Sequence, residues 1–297
     1  MKKGFMKNSF KIGKIKSTLN HLITAEVELR KSIWQRWNNP TGYTTPAFLV
    51  GNGRSGTSMI VRHLAKSWQI DLYNENNAAA FNTWFIQDLS VIEDLVRDSY
   101  ASLALFKPLR DTYRTPLLLS RFPLAKVLFA FRHYDDVINS ARKKFYDEDG
   151  LTVNPKNIMV EDRRPHVIRW VTNDFAEFSA FPPPEETKHF ILSRWKPSLS
   201  LESNIALQWL FTNRLYFDYN LDRNNRVKIV RYESIVTDPV NEFKSLCQFL
   251  GLDYEPQIVK GIFTSSIRRD PTPKLDPIIR SDCQELWQRL CQQANLK

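Results

Sequence analysis

Short apolar runs alternate along the chain with longer segments whose apolar residues recur every three or four positions. The runs are Phe48–Val50, Ile70–Tyr73, Leu103–Phe106, Val127–Phe131 and Val227–Arg231. Their length and their branched and aromatic content predict buried strands. Helical patterns lie between them at Asn82–Arg97, Pro116–Arg121, Asp136–Phe145 and Leu201–Tyr219, and an earlier one runs from Thr24 to Trp37 before Asn38-Asn39-Pro40 stops it. Such alternation predicts an α/β fold with three layers, α/β/α, built on a central parallel sheet. Toward the end, Asp238-Pro239 opens a helix with Phe243, Leu246, Cys247 and Leu250 on one face, and Gly251 closes it. Ser281 and Gln284 have capping-box spacing ahead of a last helix holding Leu286 and Leu290. The three prolines of Phe181–Pro184 predict an irregular or extended stretch. Two units are expected: a basic segment with its helix over 1–40, and one α/β domain over 41–297.

The junction after the first run is the most informative segment. Phe48 to Val50 breaks at Gly51 and Gly53, and Thr57 begins a segment with Met59, Ile60, Leu64, Ala65 and Trp68 at roughly helical spacing. Strand, glycine turn and helix start together make an anion site, since free N–H groups and the helix dipole converge where glycine admits a phosphate. Gly51 and Gly56 are five apart and Ser58 follows, which nearly spells the triphosphate-binding P-loop. That motif has lysine where this chain has Thr57, and a cation stands three residues earlier as Arg54. The loop is therefore P-loop-like but poorly built to split a triphosphate. Alone, it is also compatible with an ordinary glycine turn.

Composition narrows the classes. The chain has 297 residues, 42% of them hydrophobic, with eight tryptophans, so a sizeable core is expected. The net charge of +10 suggests nucleic acid until it is located: six lysines (Lys2, Lys3, Lys7, Lys11, Lys14 and Lys16) fall in the first sixteen residues, which hold no acid. The remainder is nearly balanced, which argues against a nucleic-acid partner and suits an enzyme with an anionic cofactor. The lysine-rich arm reads either as a solvated tail or as a contact with an acidic surface. No run is apolar enough to span a membrane, and Cys247, Cys283 and Cys291 lack metal-ligand spacing. A cytoplasmic protein without bound metal is the expectation, its oligomeric state open.

A second candidate anion site follows the fourth run. Lys126–Phe131 ends at Arg132, and Ser140 falls in the second turn of the helix that starts after it. An arginine fork and a hydroxyl can grip a phosphate together; alternatively Arg132 pairs with Asp135 or Asp136. Taken together, Arg54-Ser55-Gly56-Thr57-Ser58, the pair Arg132 and Ser140 eight residues apart, and Val230-Arg231-Tyr232-Glu233-Ser234 resemble the sulfotransferases that use 3′-phosphoadenosine 5′-phosphosulfate (PAPS). The resemblance runs from about residue 46 to 275. It implies that Gly53, Arg54, Ser55, Gly56, Thr57 and Ser58 hold the 5′-phosphosulfate and that Arg132 and Ser140 hold the 3′-phosphate. It also implies that Tyr232 approaches the adenine and that Ser266, Arg268 and Arg269 close over the 3′-phosphate, although the fuller basic motif of many members is missing there. A donor without a γ-phosphate needs neither the P-loop lysine nor Mg²⁺, and Arg54 would neutralise the leaving oxygen.

The resemblance departs from one branch at the base. Cytosolic members carry a histidine two residues after a strand-end lysine; here the lysine is Lys107 and Leu109 takes the histidine's place, while His133 is not equivalent. The tyrosylprotein-type branch uses a glutamate about twenty residues after the loop arginine, and Glu75 lies twenty-one after Arg54. Glu75 is then the expected base, with Arg54 and Lys107 on the transferred group. The implied reaction moves a sulfuryl group from PAPS to a hydroxyl, less readily an amine, and releases adenosine 3′,5′-bisphosphate (PAP). The alternatives are a P-loop kinase or NTPase, or a non-catalytic nucleotide-binding protein of the same fold. The acceptor, whether small molecule, glycan or peptide, is left open. Phe175, Phe178, Phe181, Phe190, Trp195 and Trp209 are available for stacking or for core packing.

Overall fold

Strand β1 (Thr45–Gly51) forms the centre of a five-stranded sheet, with β2 (Ile70–Tyr73), β5 (Leu103–Phe106), β6 (Lys126–Phe131) and β7 (Val227–Arg231). In this computed structural model, which describes residues 26–146, 166–171, 181–263, 267 and 270–296, the sheet order is β2-β5-β1-β6-β7. Every pairing in it is parallel. The expected α/β fold with a central parallel sheet is what forms.

Successive residues of each strand enter opposite cores, as the pleat requires. Phe48, Val50, Phe106, Val127, Phe129 and Phe131 face one core, which the helices Leu201–Asp218 and Pro277–Leu296 cover. Ala47, Leu49, Leu103, Leu105, Leu128 and Ala130 face the other, beneath α2 (Thr57–Leu64) and the helix Pro239–Leu250. Burial on both faces explains why the strands read as unbroken apolar runs instead of alternating ones. Ahead of β1, helix α1 spans 26–38.

Two elements differ from expectation. The pattern over Asn82–Arg97 splits into a small hairpin, β3 (Phe81–Asn82) with β4 (Phe85–Ile86), and a shorter helix α3 (Leu89–Asp98). Thr83 and Trp84 turn the hairpin at φ 49° and 73°, and the Asp111 carboxylate takes the Ile86 N–H at 2.8 Å. That distant carboxylate has no trace in the local pattern. The last helix starts at Pro277, not after Ser281, because the Asp276 carboxylate accepts the Ile278 N–H at 3.0 Å. Asp276-Pro277 repeats the Asp238-Pro239 start signal, so the sequence did hold this cue. Two short helices also follow β5 and β6 as expected, α4 (Thr115–Arg121) and α5 (Tyr134–Phe145).

Candidate functional site

Parallel strands deliver their following residues to one edge of the sheet, where ligands of such folds sit. Glu75 lies just past β2, Lys107 past β5, the glycine loop past β1, Arg132 past β6 and Tyr232 past β7. Given the strand order, the edge reads carboxylate, ammonium, loop, guanidinium, phenol.

The loop is shaped by contacts that only glycine permits. Gly51 has φ 116°, and a Cβ there would stand 2.1 Å from the Ala130 carbonyl oxygen. The Thr112 hydroxyl fixes this strand end by accepting the Gly51 N–H at 3.0 Å. Arg54 is held at φ 69°, a left-handed conformation costing a residue with a Cβ about 1–2 kcal/mol. Gly56, at φ 75°, is the N-cap residue of α2 and brings no side chain to the helix start. Its first N–H groups therefore remain to meet a ligand's negative charge. Gly53 differs from the other two, since a Cβ added there meets nothing within 4 Å. Ser55 is fully buried, and its hydroxyl has no hydrogen-bond partner among the described residues.

Long-range packing joins the loop to the second candidate site. The Tyr232 ring lies so close on Gly56 that a Cβ would come within 2.1 Å of Cδ2. The Arg132 guanidinium covers that ring at 4.5 Å from its centroid. Arg132 also pairs with Asp136 at 3.3 Å, the alternative pairing that the sequence allowed. The Ser140 hydroxyl accepts from Arg54 Nε at 3.0 Å, so the loop arginine and α5 meet directly. Burial, with Arg132 nearby, lowers the Arg54 pKa from its ordinary value. Trp209 and Glu233 brace this strand end: the indole donates to the Arg132 carbonyl at 3.0 Å, and Glu233 accepts the His133 N–H at 2.9 Å. His133 itself caps α5 and stacks on Tyr134 at 4.4 Å.

On the other flank, Lys107 bridges the loop and Glu75. Its ammonium donates to the Ser58 hydroxyl at 3.0 Å and lies 3.1 Å from the Glu75 carboxylate. Both side chains are mostly buried, 7% and 15% exposed. Burial raises the Glu75 pKa from its ordinary value, and the Lys107 charge holds that rise back. Behind them sits Asp111, fully buried, paired with Arg114 at 3.1 Å and pushed by burial to about 6. Sequence reasoning missed Asp111 and Thr112, because neither belongs to a pattern; only the fold puts them beside Ile86 and Gly51.

Ser266, Arg268 and Arg269 lie outside the described residues, as do Phe175 and Phe178. Trp209 is a fully buried core residue, and Phe181, Phe190 and Trp195 pack at the core's margin. Among the described residues no helix is long and apolar enough to cross a membrane, and no group of three or more His, Cys, Asp or Glu could hold a metal ion.

No protein-family model matches the chain, and no curated protein matches it in sequence. Solved structures resemble it in outline. A sulfotransferase from Alicyclobacillus acidocaldarius is 16% identical over 85% of this chain and 94% of its own, with a TM-score of 0.48. Mouse sulfotransferase SULT7A1, complexed with PAP, is 14% identical over 85% of this chain and 86% of its own, with a TM-score of 0.47. The sulfotransferase domain from the curacin biosynthetic pathway is 14% identical over 84% of this chain and 98% of its own, with a TM-score of 0.45. Each of these three structures is of a sulfotransferase.

Proposed function

We propose that the chain is a PAPS-dependent sulfotransferase acting on a hydroxyl acceptor. One observation carries the reading: a single glycine loop has a guanidinium-covered tyrosine on one flank and a buried ammonium–carboxylate pair on the other. The first flank suits a nucleotide bearing an extra phosphate, the second the transfer of a charged group to a nucleophile. The residues fit such a donor. Ser55 offers a buried hydroxyl, and Gly53 offers an approach that a Cβ would narrow.

The bound donor supplies an electrophilic sulfur and a bisphosphate leaving group. Arg54 and the α2 N–H groups bind the 5′-phosphosulfate, and Arg132 binds the 3′-phosphate beside the adenine-facing Tyr232. Lys107, held between Ser58 and Glu75, is placed to turn its ammonium from the carboxylate to the sulfuryl oxygens. Glu75 accepts the acceptor's proton as the acceptor oxygen bonds to sulfur and the bridging oxygen leaves with PAP. Burial raises the Glu75 pKa, the direction that favours proton acceptance.

Calorimetric titration with PAP and with adenosine 5′-phosphate tests the donor assignment. PAP should bind more tightly, and Arg132→Ala should weaken PAP by about tenfold or more while sparing the monophosphate. Equal losses for both nucleotides would refute the 3′-phosphate role. Tight ATP binding without affinity for PAP would overturn the donor itself.

A further inference from the structure

Helix α1 meets the protein through Lys31, Trp34 and Gln35 and leaves a stripe of apolar residues exposed to solvent. Lys31 donates to the Ile70 carbonyl at 2.7 Å and lies 3.0 Å from Asp71. Gln35 donates to the Trp68 carbonyl and to Asp71, both at 2.9 Å. Trp34 adds an edge-on contact with Trp68. On the outer side Leu29, Ile33 and Trp37 are 62%, 51% and 83% exposed. Four-residue spacing stacks these three along one face. A surface helix of a globular protein ordinarily turns such a stripe to the core.

The sequence charge of this end of the chain is one-sided too. Residues 1–38 hold nine lysines and arginines but only two acids, Glu26 and Glu28, and Arg30 pairs with Glu26 at 2.6 Å. Ile12, Ile15, Leu19 and Leu22 precede the helix at spacings of three and four, interleaved with Lys11, Lys14 and Lys16. An exposed indole, branched aliphatics and flanking cations match the boundary between acyl chains and acidic headgroups. The place of α1 suits that partner. Its contacts are with Ile70 at the start of β2, and the Asn39 that follows it reaches the carbonyls of Tyr100 and Ala101 ahead of β5. These are the amino ends of the strands, opposite the glycine loop.

We propose that α1 is an interfacial anchor that seats the amino edge of the sheet on an anionic lipid bilayer. Leu29, Ile33 and Trp37 enter the headgroup boundary, and the flanking cations meet lipid phosphates. The anchor leaves the glycine loop uncovered, and it stands whichever reaction that loop serves.

The test is co-sedimentation of the full chain with vesicles of phosphatidylcholine alone, and of phosphatidylcholine and phosphatidylglycerol in equal parts. Binding is expected to the mixed vesicles only, and to weaken with added salt. Ile33→Ser with Trp37→Ser should lower partitioning by about tenfold or more at an unchanged melting temperature. Leu29→Ser, at the far end of the stripe, should lower it less and serves if the double variant is unstable. Equal binding by wild type and variants would overturn the anchor. So would a wild-type dimer that these variants dissolve, without vesicle binding, since the stripe would then meet a second copy.

Discussion

The two edges of the sheet depart from ordinary burial in opposite senses. At the carboxyl edge, charged groups that normally face water are enclosed: Lys107, Arg132, Asp111 and Asp136 are all buried. At the amino edge, apolar groups that normally seek a core stand in solvent, while Lys31 and Gln35 hold their helix to the domain. The carboxyl edge keeps its charges tolerable by pairing them, Lys107 with Glu75 and Arg132 with Asp136. For the stripe on α1 no such internal compensation is seen among the described residues. The difference teaches that the first edge offsets its buried charges with partners from the same chain. The second leaves apolar side chains in solvent, which is the ground for the proposed lipid contact.

The sharpest way to break this contrast is at Glu75. Glu75→Gln keeps the shape and removes the base, so turnover should fall by at least about a hundredfold with PAP affinity largely kept. In Lys107→Gln the lost ammonium should move the acid limb of the kcat profile to higher pH, because Lys107 holds the Glu75 pKa down. Unchanged turnover in Glu75→Gln would place the base elsewhere.

Next in size is the loop. Gly56→Ala puts a methyl into the Tyr232 ring at an unfavourable φ and should cost on the order of 3 kcal/mol in denaturant unfolding. Gly53→Ala should leave stability within about 0.5 kcal/mol yet weaken nucleotide binding. A Gly53→Ala protein that binds PAP normally would remove Gly53 from the contact surface.

A pH-dependent effect is expected at Asp111. Its folded pKa of about 6 lies above the ordinary value of 3.8, so the folded state holds the proton longer than the unfolded chain. Stability from this group is greatest below the unfolded value and is lost as pH rises toward the folded one, by on the order of 2–3 kcal/mol. Asp111→Asn should flatten that decline between about pH 4 and 7 in urea melts. The same slope in both proteins would assign the decline to other buried acids such as Glu233, which burial also raises.

Much of the architecture was legible because it is local. Five apolar runs gave five strands, and the glycine turn after Val50 was visible where strand periodicity gives way to helical spacing. Where an element depended on a distant group, the pattern misled. The hairpin at Phe81–Ile86 took the place of only the first turns of the predicted helix, and Asp111, outside that pattern, satisfies one of its N–H groups. At the site, the loop and strand-end chemistry singled out Arg54, Arg132 and Ser140, and the family resemblance added Glu75, Lys107 and Tyr232, but neither said who touches whom. The sequence joined Ser140 to Arg132 through their spacing, whereas the fold puts its hydroxyl on Arg54.

By itself, then, the sequence determined which segments are strands, where a glycine turn follows the first of them, and which charged residues stand at strand ends. Periodicity, glycine and capping chemistry act within a few residues, so they can be read in order along the chain. Tertiary structure decided the strand order that lines up carboxylate, ammonium, loop, guanidinium and phenol, and the ring of Tyr232 on Gly56. It also decided that α1 meets the domain through Lys31, Trp34 and Gln35. Those outcomes depend on side chains far apart in sequence competing for the same neighbours, and no local pattern encodes that competition.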